Sequence, residues 1–497
     1  MNILLFSMPD SFEHMPSIAI RMPNGGLTSL AGNLDPEHRA GVVDLILAQR
    51  NVRATVERLV SEWNPPIVGL SVMTFQRKTA FKIIALIRSL KPDVKIVVGG
   101  YDPSLACEPY MVEDSGVDFI VRGEGEVTFR ELVRAIQGGA SFDNIAGLSY
   151  YANGAWRHNT ARPVHKLEDS EIRLPNRDAR LLHGYTFIGK QIDVIETSRG
   201  CTYDCSFCSI IAMRGRNFHT YSFDRVLDDI RDARSHGAKA IFMVDDNITL
   251  NVYRFEALCK AIIEAGLNDI EYSIQGMTSA IANHGETLAP IMRQAGFRYV
   301  FLGIENILED DLEFLRASAK NRAREQGRNV GNATLKAIDY LHRNKIYVVG
   351  GLIVGNPGDT EESIRTNLAF ARKYIDWPYI QHPTPYPGTP MTEDFRKRNL
   401  VVNERLEEYD GTTAVVRTEQ LPPEEIEFLR WREERWMKLA HFPKALFESP
   451  GFVLRNGMGM LAHTFRGCTL RTLLGLENER DAFQRYRSIR AAERVYI

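Results

Sequence analysis

Cysteine is scarce in this chain. Six occur in 497 residues, and Cys107, Cys259 and Cys468 stand alone. Such usage excludes a disulfide scaffold and fits a reducing compartment. Cys259 sits in the helical pattern Phe255-Glu-Ala-Leu-Cys259 and reads as core. An excess of charge is also missing. Lys and Arg number 61 against 63 Asp and Glu, so a nucleic-acid partner is not expected. No uninterrupted apolar run is long enough to span a bilayer, and no transmembrane segment is expected. Met1-Asn-Ile-Leu-Leu-Phe6 reads as a strand with no basic region ahead of it, so the expectation is a cytoplasmic protein without a secretory signal. A hydrophobic share of 44% with 25% charged residues is globular, and the length implies two or three domains.

The other three cysteines fall in Cys201-Thr-Tyr-Asp-Cys205-Ser-Phe-Cys208. The run Ile192-Asp-Val-Ile-Glu-Thr197 before them reads as a strand, and Ser198-Arg-Gly200 turns the chain. Three thiols in one tight loop can reach one inorganic centre, but pairing them as disulfides leaves one over. A structural zinc site wants four ligands, and no fourth is obvious nearby. An iron–sulfur cluster on three thiolates keeps one iron open to a substrate and is the more useful reading. A zinc knot is the competing one. Phe207 would be an apolar cover over the centre.

Residues 1–140 read as a domain of alternating strands and helices. Strands are expected at Asn2–Phe6, Ala40–Leu45, Ile67–Met73, Val94–Gly100 and Asp118–Val121, with helices between. Short apolar strands of this kind imply a doubly wound parallel sheet, which binds ligands beyond its carboxyl edge. Ser71, Thr74, Gly99, Gly100, Gly123 and Glu124 lie at that edge. Residues 141–185 read as a linker, with a hairpin around Asn153-Gly154. Residues 186–390 repeat strand and helix six times, which implies a partial (β/α)6 barrel whose strand ends carry the chemistry. Asp245 and Asp246 follow the second strand, Ser273 and Gln275 end the third, and Glu305 ends the fourth. Residues 391–497 read as a mainly helical cap. From Arg430 to Arg494 there are 13 Lys or Arg and 7 Asp or Glu, interleaved with apolar residues. The plain reading is an amphipathic lid on the barrel. The sharper one is a surface for anionic lipid or a hydrophobic substrate, which leaves peripheral membrane contact open.

The C-x3-C-x2-C stretch after a first strand is similar to the signature of the radical SAM superfamily. That resemblance implies a [4Fe–4S] cluster on Cys201, Cys205 and Cys208, with S-adenosylmethionine (SAM) on the fourth iron. It implies SAM-ammonium contacts at Asp245 and Asp246, ribose contacts at Ser273 and Gln275, and a cofactor contact at Glu305. The turns Val354-Gly-Asn-Pro-Gly-Asp-Thr360 and Pro385-Tyr-Pro-Gly-Thr389 also resemble this family. The N-terminal pattern resembles the cobalamin-binding domain that precedes many radical SAM domains. There the small residues after the third and fourth strands admit the nucleotide tail of B12. One departure concerns the loop Asp10-Ser-Phe-Glu-His14-Met-Pro-Ser, which does not match the Asp-x-His-x-x-Gly of many B12 proteins, so His14 is not assigned to cobalt. Many B12 radical SAM enzymes lack that histidine.

Together these resemblances imply a cobalamin-dependent radical SAM enzyme that methylates an unactivated carbon of a small molecule or lipid. A 5′-deoxyadenosyl radical and methylcobalamin would supply the chemistry, and a flavodoxin or ferredoxin the electron. The alternative keeps both cofactors without methyl transfer, as in an oxidative cyclase or a radical rearrangement. A methylthiotransferase fits less well, because its N-terminal domain would hold three cysteines and only Cys107 is present. A B12 sensor would need no radical cluster.

Overall fold

The structure is a computed structural model. It describes residues 1–13, 16–164, 166–167, 172–325, 328–494 and 496–497, and His14 lies outside them. Five parallel strands form the N-terminal sheet in the order Arg39–Asp44, Asn2–Ser7, Ile67–Ser71, Lys95–Gly99, Phe119–Val121. Successive residues of the first strand serve opposite faces. Leu4 and Phe6 pack with helices Val52–Trp63 and Arg77–Leu90, while Ile3 and Leu5 pack with helices Gly25–Asn33 and Glu126–Gly138. A strand covered on both sides must be apolar at every position, as Ile3-Leu-Leu-Phe6 is. The strand order reverses between Asn2–Ser7 and Ile67–Ser71, which opens the crevice at the carboxyl edge.

The hairpin Leu148–Ala152 and Ala155–His158 was expected within a linker. It instead extends this sheet by two antiparallel strands, through pairs such as Phe119 with Tyr150. Its turn carries φ values of 54° at Asn153 and 79° at Gly154, which these two residue types accept readily.

The second sheet takes its parallel strands in chain order: Lys190–Ile195, Ala240–Met243, Glu271–Met277, Phe297–Glu305, Tyr347–Ile353 and Trp377–Gln381. Its helices bury Ile230, Phe255, Leu258, Leu288, Ile338 and Leu368 against the outer face. Beyond the first strand the sheet continues antiparallel through Thr186–Phe187 to Ile20–Arg21. The loop after the very first strand of the chain thus crosses over to edge the barrel, which no sequence pattern announced. The sheet is open, with Trp377–Gln381 at its other edge.

Helices Pro423–Glu448, Pro450–Thr464, Leu470–Leu473 and Glu479–Glu493 complete the fold. Phe428, Trp431, Phe483 and Tyr486 form their core. The region reaches further than a barrel lid. Lys82 Nζ donates to the Ile497 carbonyl at 2.7 Å, and Tyr496 packs on the N-terminal core. Glu13 of the first loop is buried between Arg466 and Arg490, which hold its carboxyl down at about 2 against the opposing effect of burial. No described helix is long and apolar enough to cross a membrane.

Candidate active site at the mouth of the barrel

The cysteine loop is held by its own backbone contacts. Gly200 has φ 92°, and a Cβ there would sit 2.4 Å from the Asn217 carbonyl, so only glycine fits the turn. Ser206 anchors the loop: its N–H donates to Leu315 O at 2.9 Å, and its own carbonyl accepts from Met391 N at 2.9 Å. Cys201, Cys205 and Cys208 are all free thiols, and all three line one cavity of about 720 Å³. Among the described residues, the one trio of metal-ligating atoms within 4.8 Å of one another is Asp35, Glu37 and His38, so the three sulfurs stand wider. Ligands about 2.3 Å from a tetrahedral zinc would lie about 3.8 Å apart. At least one of the three sulfur pairs is therefore wider than a preformed tetrahedral zinc site requires. Burial pushes the Cys205 thiol up to about 12 and the Cys208 thiol up to about 11, with the Lys320 ammonium working against it. Such thiols ionise on taking up metal, because the metal competes with the proton.

The strand ends bring most of the expected residues to the same space. Asp246, Ser273, Gln275 and Glu305 all line the cavity. Asp246 accepts from Gly200 N at 2.7 Å and from Arg214 Nη1 at 3.3 Å, and burial raises its pKa. Glu305 has φ 61° at a register shift between Gly303 and Glu305. The irregularity re-aims its carboxylate to Lys320 Nζ at 2.8 Å, an arrangement typical of strand ends at binding sites.

Asp245 stands apart from these residues. It is buried outside the cavity lining, where it accepts from Thr197 N at 2.7 Å, Thr197 Oγ1 at 2.6 Å and the Ser198 hydroxyl. Burial pushes its carboxyl up to about 6 despite these bonds. It fixes the turn that leads into the cysteines.

The six expected N-terminal positions all lie at the carboxyl edge of their sheet, and none of them lines this cavity. Ser71 and Gly99 pair in register, and Thr74 is buried in the following turn. Gly100 has φ 101°, and a Cβ would meet Val72 O at 2.8 Å, so the chain itself demands glycine there. A Cβ at Gly99 would come no nearer than 3.4 Å to any atom, and one at Gly123 would meet nothing within 4 Å. Those two mark room at the edge. Glu124 does not face a free space. Its carboxylate bonds Arg214 and lies 3.6 Å from Arg199, both from the barrel side. Arg199 also pairs with Glu126 at 2.6 Å. Glu124 and Glu126 are therefore interdomain ties, and Arg214 links Glu124 onward to Asp246.

Three further residues belong to the site and were not expected. Lys320 lines the cavity beside Glu305 and the thiols; burial opposes its charge, but these neighbours raise its pKa. Asn247 Nδ2 points at Cys201 Sγ at 3.6 Å. Tyr101, next to Gly100, brings the N-terminal sheet to the cavity. Asn247 follows the acidic pair directly, so its position was readable. Lys320 lies fifteen residues past Glu305 in the single 3-10 turn Ser318–Asn321, too short to show a period.

The family models agree with this geometry. One described as the radical SAM superfamily matches residues 195–371, and one described as a B12 binding domain matches residues 17–133. The chain carries a radical SAM domain and a B12-binding domain. Its cofactor set is the [4Fe–4S] cluster, SAM and, through the B12-binding domain, cobalamin. Among the relatives, an uncharacterised methyltransferase of Pyrococcus horikoshii is 29% identical over 94% of this chain and 99% of its own. The anaerobic magnesium-protoporphyrin IX monomethyl ester cyclase of Synechocystis is 25% identical over 92% of this chain and 90% of its own. The fold is similar to that of the radical SAM methyltransferase TsrM from Kitasatospora setae. That match has a TM-score of 0.64 at 21% identity and covers 81% of this chain and 79% of that one.

Proposed function

We propose that this enzyme methylates an unactivated carbon of a small, apolar molecule. The observation that carries the reading is the single cavity of about 720 Å³ shared by the cysteine loop, the barrel strand ends, Phe12 and Tyr101 of the N-terminal region, and the C-terminal helices. That volume is in the range of one drug-sized ligand. Cys201, Cys205 and Cys208 would hold the cluster. Asp246 would accept from the SAM ammonium, with Ser273 and Gln275 toward the ribose and Glu305 held ready by Lys320. Ser71, Thr74, Gly99 and Gly123 would face cobalamin, while Gly100 and Glu124 shape and tie the edge. When bound, the cluster and SAM supply a carbon radical, and cobalamin supplies methyl transfer.

The protein's own part is orientation and dryness. Phe242, Tyr299, Phe301 and Tyr347 line the barrel side of the cavity. Phe442, Phe452 and Leu461 line it from the C-terminal helices and keep water from a reactive carbon. A cluster held by the three cysteines would need one electron from outside to cleave SAM, so a ferredoxin or flavodoxin in a cytoplasmic setting completes the proposal.

Methyl-labelled SAM tests it. A methyltransferase places label in the product and releases both S-adenosylhomocysteine and 5′-deoxyadenosine. The cyclase reading is favoured by the 25% identity to the Synechocystis cyclase across nearly the full chain. It predicts turnover with 5′-deoxyadenosine alone and no label transferred.

A further inference from the structure

The helices that close the cavity have a second face. Helix Pro450–Thr464 turns Val453, Met460 and Leu461 to the cavity. On the adjoining, outward stripe Leu454 is 81% and Met458 82% exposed, and Phe447 at the end of the preceding helix is 88% exposed. Leu470, Leu474 and Leu476 follow in the next short helix and turn, exposed as well. Burying one such side chain is worth about 1.5–3 kcal/mol, so a face that leaves six in water is incomplete alone. The apolar surface runs on to the cavity mouth, because Leu439 is both exposed and part of the lining. Charge on this segment is mostly basic. Between Trp436 and Leu476 stand five Lys or Arg and a single acid, Glu448. Arg455 and Arg471 are exposed among the apolar residues.

We propose that this face docks on an anionic lipid bilayer, with the cavity mouth turned to the membrane so that an apolar substrate enters from it. The second clause rests on the proposed function; the docking surface does not. A basic and apolar helical face with an exposed Trp at its margin is the composition that settles at a headgroup boundary. Lys444 pairs with Asp376, and Arg466 with Glu13 and Glu493, so the charges offered to anionic headgroups are chiefly those of the exposed Arg455 and Arg471. A second copy of this face would set Arg455 and Arg471 against themselves, with one acid in the segment to offset them. The contact is peripheral, since no described helix can span a bilayer.

The test floats the full-length, anaerobically reconstituted protein with vesicles of phosphatidylcholine, with and without phosphatidylglycerol. The expected result is binding to the phosphatidylglycerol vesicles that weakens with salt. Arg455→Gln and Arg471→Gln should each lower the partition about fivefold. The triple variant Phe447→Ser, Leu454→Ser, Met458→Ser should lower it more than tenfold. The variants' 5′-deoxyadenosine release reports on the cavity separately. Vesicle binding without any such release would sink the proposed function and leave the docking surface standing. Absence of binding to anionic vesicles, or equal binding by all variants, would overturn the docking surface. So would a wild-type dimer that the triple variant dissolves to monomers.

Discussion

Lys320→Met isolates the least expected member of the site. The ammonium lies 2.8 Å from Glu305, and both side chains are largely shielded from solvent. Removing one partner of a buried pair costs about 3–5 kcal/mol, because the other charge is stranded. Some solvent reaches this pair, so the expected loss is at the lower end, about 3 kcal/mol. That corresponds to a fall of about 6–12 °C in the unfolding transition of a domain of this size. The double variant Lys320→Met, Glu305→Gln strands no charge and should recover most of the loss. A second readout follows from the neighbouring thiols. Taking a positive charge from beside a cluster favours its oxidised state, so the midpoint potential should move negative. Scanning calorimetry and a redox titration check the two effects. A single variant within 0.5 kcal/mol of wild type, or a double variant no better than the single, would refute the assigned pairing.

The two aspartates should separate. Asp246→Asn should weaken SAM binding about tenfold by calorimetry, with iron content unchanged, the usual worth of one charge-assisted hydrogen bond. Asp245→Asn should instead alter stability with pH. The wild-type carboxyl is raised from 3.8 to about 6, so its favourable contribution is full below pH 3.8 and lost as pH rises through 6. The variant should therefore gain on wild type by about 2 kcal/mol between pH 4 and pH 8, read by denaturant titration; a constant difference would contradict this. At the N-terminal sheet, Gly100→Ala should destabilise the fold without cofactor by about 1–3 kcal/mol, because its φ is 101° and Val72 O lies 2.8 Å from the added carbon. Gly99→Ala should leave that fold intact yet lower the hydroxocobalamin retained after desalting, measured by corrin absorbance.

Much of this was readable in the sequence because local rules and global fold agree. Ile3-Leu-Leu-Phe6 is apolar at every position because helices cover both its faces. The cysteine spacing, the small residues at strand ends and the Asp246 position all follow from strand-then-turn logic. The turn at Gly355 behaves the same way: Asp359 accepts from Gly355 N at 2.7 Å and Asn356 N at 2.9 Å, and Thr360 caps the helix after it. Long-range placement was not readable. Asp245 and Asp246 look alike in sequence, yet opposite orientations send one into the turn and the other into the cavity. Glu124 sits where a ligand contact was expected, but Arg214, ninety residues on, claims it. Two-residue strands such as Ile20–Arg21 carry no period to detect. Lys320 is in the single 3-10 turn Ser318–Asn321, and only the packed barrel brings it to the thiols.

The most direct measurement is made on anaerobically reconstituted wild type beside Cys201→Ala, Cys205→Ala and Cys208→Ala. Iron, sulfide and 5′-deoxyadenosine are quantified in the same samples. The account predicts a four-iron cluster and SAM cleavage in wild type, and loss of cleavage with depleted iron in each variant. A variant that keeps a full cluster and wild-type cleavage would contradict it.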